Sequence, residues 1–516
     1  MRNLVTYVVL VASLVQRGLA DAALVYDIVG YNNGTYGVDP HQSYFSSNII
    51  SPLLQVNHWE PDGTDDAQFI FLTFFDALNL TQTGPLIYRA DDLSLVYSDT
   101  RWVVAVDAHI AQFDDDPYLV FIEQYQVAGQ PLSNCVLYDT SYNLAYNISA
   151  DGPPNSALGL HECHLTQDGT AVIALIQPNA FNLSTVGGDV NGMILDNLVQ
   201  EIDIATSEVL WTWRASDYFE FSDSFVQYNS SNGNYNYDYI HMNSIQKTAE
   251  GNFLISSRHC HAIIYVDGNT GEVIWQLGGK RNSFADVSDG QATDFAWQHH
   301  VRFSDLTLSQ LTMFDNHNIS SKIGCTEGCT RGRHLELDYN HMTARLVQEY
   351  YHPEELLSAF EGSYDTLESG NVFIGWGANP TFTEFTEGGH CVLDVQFDSW
   401  RTENGYPINY RAFKMDWKAT PTWDPSIAVV KNAAYVSWNG ATEVADWQLL
   451  YGESSNDVLG LLSTTPRDGF ETKIPVTQNL SDTFVCAVAL DKYGHVLGKT
   501  PVVSVDSSGN STVVTT

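Results

Sequence analysis

The stretch HMNSIQKTAEGNFLISSRH, residues 241–259, sets a histidine, an asparagine and an arginine around an otherwise ordinary apolar strand pattern. Its Ala-Glu-Gly-Asn centre reads as a tight turn between two strands, because Gly251 can take the positive φ that such a turn demands. Folding the chain about Glu250 and Gly251 sets Asn243 opposite Arg258. Residues two apart on a strand share a face, so His241, Asn243 and Arg258 converge. His161, at the head of HECHLTQDGTAVIALI, and His299 or His300, in FAWQHHVRF, begin strands of the same kind. Arginine offers a planar fork of donors, asparagine an NH2 donor, and histidine a donor that can also act as nucleophile or general acid. With few carboxylates aimed at it, such a group is suited to an oxyanion, and sulfate or phosphate esters fit that chemistry.

Competing uses of the same residues stand beside this one. A zinc site drawn from His161, His241 and His299 is one of them. HECH itself lies on an expected strand, where positions three apart face opposite ways, so it is not the helical zinc motif. Arg258 can equally be a buried cation tying neighbouring strands, and Glu162 can orient an imidazole or cap a turn.

The elements that must position these residues recur along the chain. One half-unit is a hairpin with a Gly-containing turn: HECHLTQDGTAVIALI, HMNSIQKTAEGNFLIS and SYDTLESGNVFIGWG. The other ends in an aromatic: LVQEIDIATSEVLWTW, IIYVDGNTGEVIWQLGG and, more loosely, PLIYRADDLSLVYSD, NCVLYDTSYNLAYNIS, HLELDYNHMTARLVQEYYH and VLDVQFDSWRTENGYPINYRAF. Four strands repeated about six times predict an all-β fold, a six-bladed β-propeller over residues 21–424. The first strand of each blade would line a central channel and bring the three histidines to one mouth. After Trp423 the blade pattern stops, and short strands over 425–508 read as an immunoglobulin- or fibronectin-like β-sandwich, followed by a polar tail, 509–516.

The 516 residues are 44% hydrophobic and 12% aromatic, enough for a large core and more than one domain. Residues 1–20 combine a basic start, an apolar run from Leu4 to Val15 and the small residues Gly18-Leu19-Ala20, the form of a secretion signal. No later run is long enough for a membrane helix, so a soluble extracellular protein is expected. Glycosylation motifs at Asn33, Asn79, Asn147, Asn182, Asn229, Asn318, Asn479 and Asn510 agree with that route. A net charge of −39 opposes nucleic acid and anionic membranes as partners. Seven cysteines predict a few bridges and one spare thiol, with Cys325 and Cys329 as a small loop staple.

The stretches LHECHLTQDGTAVI, DYIHMNSIQKTAEGNFLISSRH, IIYVDGNTGEVIWQLGGKRNSF, FAWQHHVRF and LTMFDNHN resemble the arylsulfotransferase family, in its fungal secreted branch. The resemblance implies transfer of a sulfuryl group from a phenolic sulfate ester to a phenolic acceptor, without a nucleotide donor, cofactor or metal, by a ping-pong route through a sulfated histidine. Matched position by position, it makes His299 the nucleophile and has His241, Asn243 and Arg258 hold the sulfuryl oxygens. His161 matches the histidine of the family's His-Glu motif, and in protonated form it would serve the leaving oxygen. Trp297, Phe314 and Trp376 are candidate walls for the aromatic rings, or else core between blades. YVDGNTGEVIWQL also resembles the repeat of quinone-dependent propeller oxidoreductases, and a non-catalytic propeller that binds glycans or a surface partner is the third reading.

Overall fold

The structure, a computed structural model, describes residues 21–75, 83–102, 104–127, 130–153, 155–229, 236–400, 408–431, 433–476 and 478–514. The expected leader, 1–20, and the motif at Asn79 lie outside the described residues. Among these residues the architecture is all-β, with one six-residue α-helix, Ile28–Asn33. None of the described helices is long and apolar enough to cross a membrane.

Among the described residues six sheets follow one another in chain order, antiparallel but for the short strand Ala285–Asp286, which joins Thr343–Tyr351 of the fifth in parallel. The second runs through Val104–Phe113, Asp116–Val127, Gln130–Tyr138 and Leu144–Ser149, and the third through Ala157–Leu165, Thr170–Phe181, Gly192–Asp203 and Val209–Arg214. The fourth comprises Met242–Lys247, Phe253–Ser257, Ala262–Val266 and Val273–Gly278. The fifth begins with His299–Phe303 and ends with Thr343–Tyr351, and the sixth begins with Ser363–Thr366 and ends with Cys391–Gln396. In the first sheet, Phe69–Phe75 leads to Gly84–Arg89 and Leu95–Ser98, and Phe413–Met415, arriving from far along the chain, pairs antiparallel with Phe69–Phe75. Gln55–Trp59 similarly joins the outer edge of the sixth sheet. The arrangement is propeller-like.

Strands in the middle of each sheet are apolar on both faces because both faces are covered. Phe253 and Ile255 pack with Val172, Val199 and Trp213 of the third sheet. Leu254 between them, whose side chain alternation sends the other way, packs with Val301, Leu311 and Leu335 of the fifth. The expected turn forms, with Gly251 at φ 85° and its N–H donating to the Thr248 carbonyl.

Beyond Trp423, Ser426–Val430, Ala433–Ser437 and Glu471–Ile474 form one sheet, and strands from Asp446–Gly452 to Ser511–Val513 form another. Val436 and Ile474 from the first share a buried cluster with Trp447, Val485 and Val503 from the second. The expected tail is partly ordered structure: Ser511–Val513 pairs with Val503–Val505, so the chain uses it as an edge strand. One repeat unit is also displaced. VLDVQF is the strand of the sixth sheet whose preceding partner is Thr381–Phe385, and NYRAF runs into Phe413–Met415, which pairs with the first sheet.

Cys325 and Cys329 are bridged as the spacing implied. Cys135 and Cys163 form a second bridge, from the third strand of the second sheet to the first strand of the third. Cys260, Cys391 and Cys486 remain thiols, three rather than the single one expected. Of the glycosylation motifs, Asn33, Asn147, Asn182, Asn229, Asn479 and Asn510 are exposed and Asn318 is half-buried.

Candidate active site

Each of four successive inner strands breaks register with its neighbour at the point where its sequence turns polar. The slips fall between Val106 and His109, Leu158 and Cys163, Met242 and Ser244, and His299 and Arg302. Such bulges re-aim side chains out of the regular alternation. Asp107, His161 with Glu162, Asn243 and His300 are the residues they release. Left-handed backbone accompanies them at Asp107 (φ 64°), His241 (φ 52°), Trp297 (φ 58°), His300 (φ 48°) and Glu361 (φ 61°). For residues with a Cβ this is strained, and strain of this kind concentrates at functional sites.

The bulge corrects the hairpin argument. Ser244 pairs with Ser256 but Met242 pairs with Ser257, so Asn243 has no opposite number. Arg258 lies just past the strand, its N–H donating to the His241 carbonyl at 2.9 Å. His241 and Arg258 are therefore neighbours through the bulge, not through simple pairing.

His299 is 2% exposed and its ring is fixed at both nitrogens. Asn316 donates its amide to the carbonyls of Ser358 and Glu361, each at 3.0 Å, which leaves Oδ1 to face His299 Nδ1 at 2.6 Å. An amide oxygen only accepts, so Nδ1 carries the proton and Nε2 holds the lone pair. The Glu361 N–H reaches Nε2 at 3.2 Å. Burial, then the nearby Arg258, hold the imidazole well below its ordinary pKa, so it stays neutral. His300 Nδ1 faces the Tyr364 backbone, 2.9 Å from its carbonyl and 3.1 Å from its N–H, and its tautomer selects one of the two bonds.

His161 and His241 lie near His299, their ring centroids 4.7 Å apart and nearly perpendicular. His241 Nδ1 meets Asp238 Oδ2 at 2.6 Å. Burial opposes the charge on Asp238, but His241 and its hydrogen bond outweigh this and bring the carboxyl to about 2. His259 donates Nδ1–H to the Asp238 carbonyl at 2.7 Å, and its Nε2 accepts from Arg258 Nη1 at 2.8 Å. Arg258 also donates to the Ala359 carbonyl at 2.9 Å and lies 5.1 Å from the Trp297 ring centre. Its Nε and the Nδ1 of His161 are buried with no hydrogen-bond partner among the described residues. Nor does any carboxylate there come within ion-pair distance of Arg258.

Asp238, His241 and His259 hold candidate ligand atoms within 4.8 Å of one another. They do not fit a cation: His259 has committed one nitrogen as donor and the other to Arg258, whose positive charge adjoins the cluster. The donor set suits an anion.

A family model described as Arylsulfotransferase (ASST) matches residues 109–398, more than half of the chain, and takes in every histidine of this cluster. The chain belongs to the arylsulfotransferase family. No curated protein matches it. Among solved structures it is similar to a protein of unknown function from Bacteroides caccae (11% identity, 67% of this chain and 98% of that one, TM-score 0.41). It is also similar to a periplasmic gluconolactonase of Pseudomonas aeruginosa (13%, 64% and 97%, TM-score 0.34) and to the Dos1 propeller (10%, 76% and 84%, TM-score 0.26).

In this arylsulfotransferase-family chain the expected site residues separate into groups. His161, His241, Arg258 and His299 come together. Asn243 is nearby, and one N–H of its NH2 donates to the Gln298 carbonyl at 2.6 Å, which ties it to the segment carrying His299. Trp297 is half-buried against Arg258, His259 and His261, as a wall would be. Phe314 and Trp376 are wholly buried together with Tyr350 and Leu356 and are core. The protonated His161 expected as acid is opposed by burial, then by His241, Arg411 and Arg258, which hold its pKa well below the ordinary value.

Glu162 neither orients an imidazole nor caps a turn. It accepts from Arg302 Nη2 at 2.6 Å, from Arg411 Nη1 at 3.2 Å and from the Ile245 N–H at 3.1 Å. Arg411, 1% exposed, also donates to both oxygens of Asp107 at 3.1 Å and to the carbonyls of His161 (2.8 Å) and Asn243 (3.0 Å). This single guanidinium joins the inner strands of the second, third and fourth sheets beneath the histidines.

Arg411, Asp238, His259, Asn316, Glu361 and Tyr410 were not singled out from the sequence. Asp238 and His259 sit beside His241 and Arg258 in the quoted stretch, and the Asn-His-Asn of LTMFDNHN carries Asn316. Glu361 and Tyr410 precede strands that line the same space as the histidine-bearing ones, a positional equivalence that the repeat could have exposed.

Proposed function

We propose that the protein moves a sulfuryl group from a phenolic sulfate ester to a phenolic acceptor through a sulfated His299. One observation carries this reading: Arg258 is a half-buried cation that forms no direct ion pair among the described residues, set beside a neutral histidine whose lone pair is selected by Asn316. A buried charge without a counterion favours an anionic ligand, and family membership makes an aryl sulfate the natural one. In the first half-reaction His299 Nε2 attacks sulfur in line as the phenolic oxygen leaves, with Arg258 and His241 placed for the sulfuryl oxygens. In the second, the acceptor oxygen attacks the same sulfur from the vacated side. Trp297, already against Arg258, offers a face for an aryl ring.

On the same reading the six sheets close into a six-bladed propeller within 21–424. The pairing of Phe413–Met415 with Phe69–Phe75 supports this, as does the reach of Arg411 across three sheets. The shared core beyond Trp423 supports a C-terminal sandwich. Residues 1–20 and the mostly exposed glycosylation motifs support secretion and the fungal branch.

The test is release of phenol from a chromogenic aryl sulfate, with and without a phenolic acceptor, beside His299→Ala and a chelator control. Release that depends on acceptor, survives chelation and disappears in the variant supports transfer. Release abolished by chelation points to a metal hydrolase. A folded protein inert toward a panel of esters favours the binding reading.

A further inference from the structure

We propose that Glu361 is the proton carrier of this site, giving its carboxyl proton to the departing phenolic oxygen and taking the acceptor's proton in return. The inference rests on the sulfotransferase reading above.

Glu361 is held in place by three elements at once. Asn316 donates to its carbonyl at 3.0 Å, its own N–H points at His299 Nε2 at 3.2 Å, and the N–H of Gly362 donates to the Tyr410 carbonyl at 3.0 Å. Its backbone is left-handed, at φ 61°, and Gly362 follows at φ 105°, where a Cβ would come within 2.3 Å of the Phe314 ring. A strained residue so firmly gripped, touching the reacting atom, has the marks of a functional position. The residue is 8% exposed, and its Oε2 is buried with no hydrogen-bond partner among the described residues. A carboxyl group left unpaired in such surroundings is otherwise costly.

The charged and titratable groups that act on that carboxyl are Arg258 and Tyr410, while His299 is met by the backbone N–H of the same residue. Burial raises the Glu361 pKa well above the ordinary carboxyl value, and Arg258 offsets only part of this. Four neighbouring groups are less suited to the role, and His241 has its Nδ1 on Asp238. His161 and His299 are held neutral, Asp238 is ionised, and burial pushes the Tyr410 hydroxyl well above its usual range. A neutral carboxylic acid beside a neutral nucleophile is the pairing that this half-reaction requires.

The steps balance. His299 Nε2 gives its lone pair to sulfur and the sulfur–oxygen bond breaks. The phenolic oxygen keeps that electron pair and takes the Glu361 proton, while His299 retains Nδ1–H on Asn316. Glu361 is left as a carboxylate near Arg258. In the second half it removes the acceptor's proton as that oxygen bonds to sulfur, and the nitrogen–sulfur pair returns to Nε2. The Glu361 N–H, at the long end of hydrogen-bond range in the resting site, then has a sulfuryl oxygen beside it.

The experiment is single-turnover phenol release by wild type and Glu361→Gln from 4-nitrophenyl sulfate and from phenyl sulfate. The first leaving group needs no proton and the second does. The expected result is a loss of about 100-fold or more with phenyl sulfate, in the range of general acid catalysis, against less than about 5-fold with the nitrophenyl ester. Equal losses with both esters, or none, would overturn the inference while leaving transfer intact. If wild type transfers from neither ester, the sulfotransferase reading falls and this inference with it. Should the variant not fold, wild-type pH profiles decide: phenyl sulfate release should decline at alkaline pH as Glu361 ionises, without a matching decline for the nitrophenyl ester. Coincident profiles would contradict the assignment.

Discussion

His299 and Asn316 meet Nδ1 to Oδ1 at 2.6 Å, and because the Asn316 amide is spent on two backbone carbonyls, its oxygen alone is left for the ring. The contact puts the ring proton on Nδ1, and on the proposed transfer route it leaves Nε2 as the attacking nitrogen. Replacing Asn316 with Leu should remove that selection and lower kcat by about 10- to 100-fold, as loss of an orienting partner commonly does, with little change in KM. Steady-state kinetics on the folded variant check this, and an unchanged kcat would show that the tautomer is set otherwise.

Acid should loosen the site in a defined window. Unfolded, His161, His259 and His299 would titrate near 6.5; folded, burial keeps all three below that, His259 at about 3. Between those values the unfolded chain binds more protons, so stability rises with pH there and is lost as pH falls from about 6.5 toward 3. Asp238, lowered from 3.8 to about 2, adds to the loss only below about 3.8. Thermal melts across pH 3 to 8 should show a falling Tm on the acid side, less steep in His259→Phe. A flat Tm across this range would contradict the buried neutral histidines.

Arg411 links Asp107, Glu162 and two backbone carbonyls below the site. Arg411→Met leaves two buried carboxylates without their shared cation and should cost about 3–5 kcal/mol in urea unfolding. Adding Asp107→Asn and Glu162→Gln should recover part of that loss, because the uncompensated charges go with them. No recovery would mean that the arginine acts through its packing.

The Cys135–Cys163 bridge spans 28 residues and fastens the strand that carries His161 and Glu162 to the preceding sheet. Replacing both cysteines with serine should lower stability by about 3 kcal/mol. Because Cys163 adjoins the bulge that frees His161, activity should fall at temperatures where the fold is intact. Stability lost with full activity kept would separate the bridge from the site.

Much of this was legible in the residues. Alternation and turn glycines carried the all-β reading, and the types of His161, His241, Arg258 and His299 carried the anion chemistry. What a strand pattern does not encode is where its register slips. The bulge at Asn243 turns an apparently paired residue into one that holds Gln298, and only the folded ladder reveals it. Phe314 and Trp376 look the same in sequence whether they line a site or fill a core; their burial with Tyr350 decides it. Arg411 and Glu361 lie far along the chain from the histidine motifs and join them only when the sheets come together. The tail from 509 is short and polar, and its strand exists because Val503–Val505 has a free edge to offer.

The most direct test of the central claim is to mix the protein with an aryl sulfate in the absence of acceptor and map the covalent product. The account predicts a burst of one equivalent of phenol and one sulfuryl group on the peptide containing His299, discharged when phenol is added. Turnover with no labelled peptide, or with the label on another residue, would contradict it.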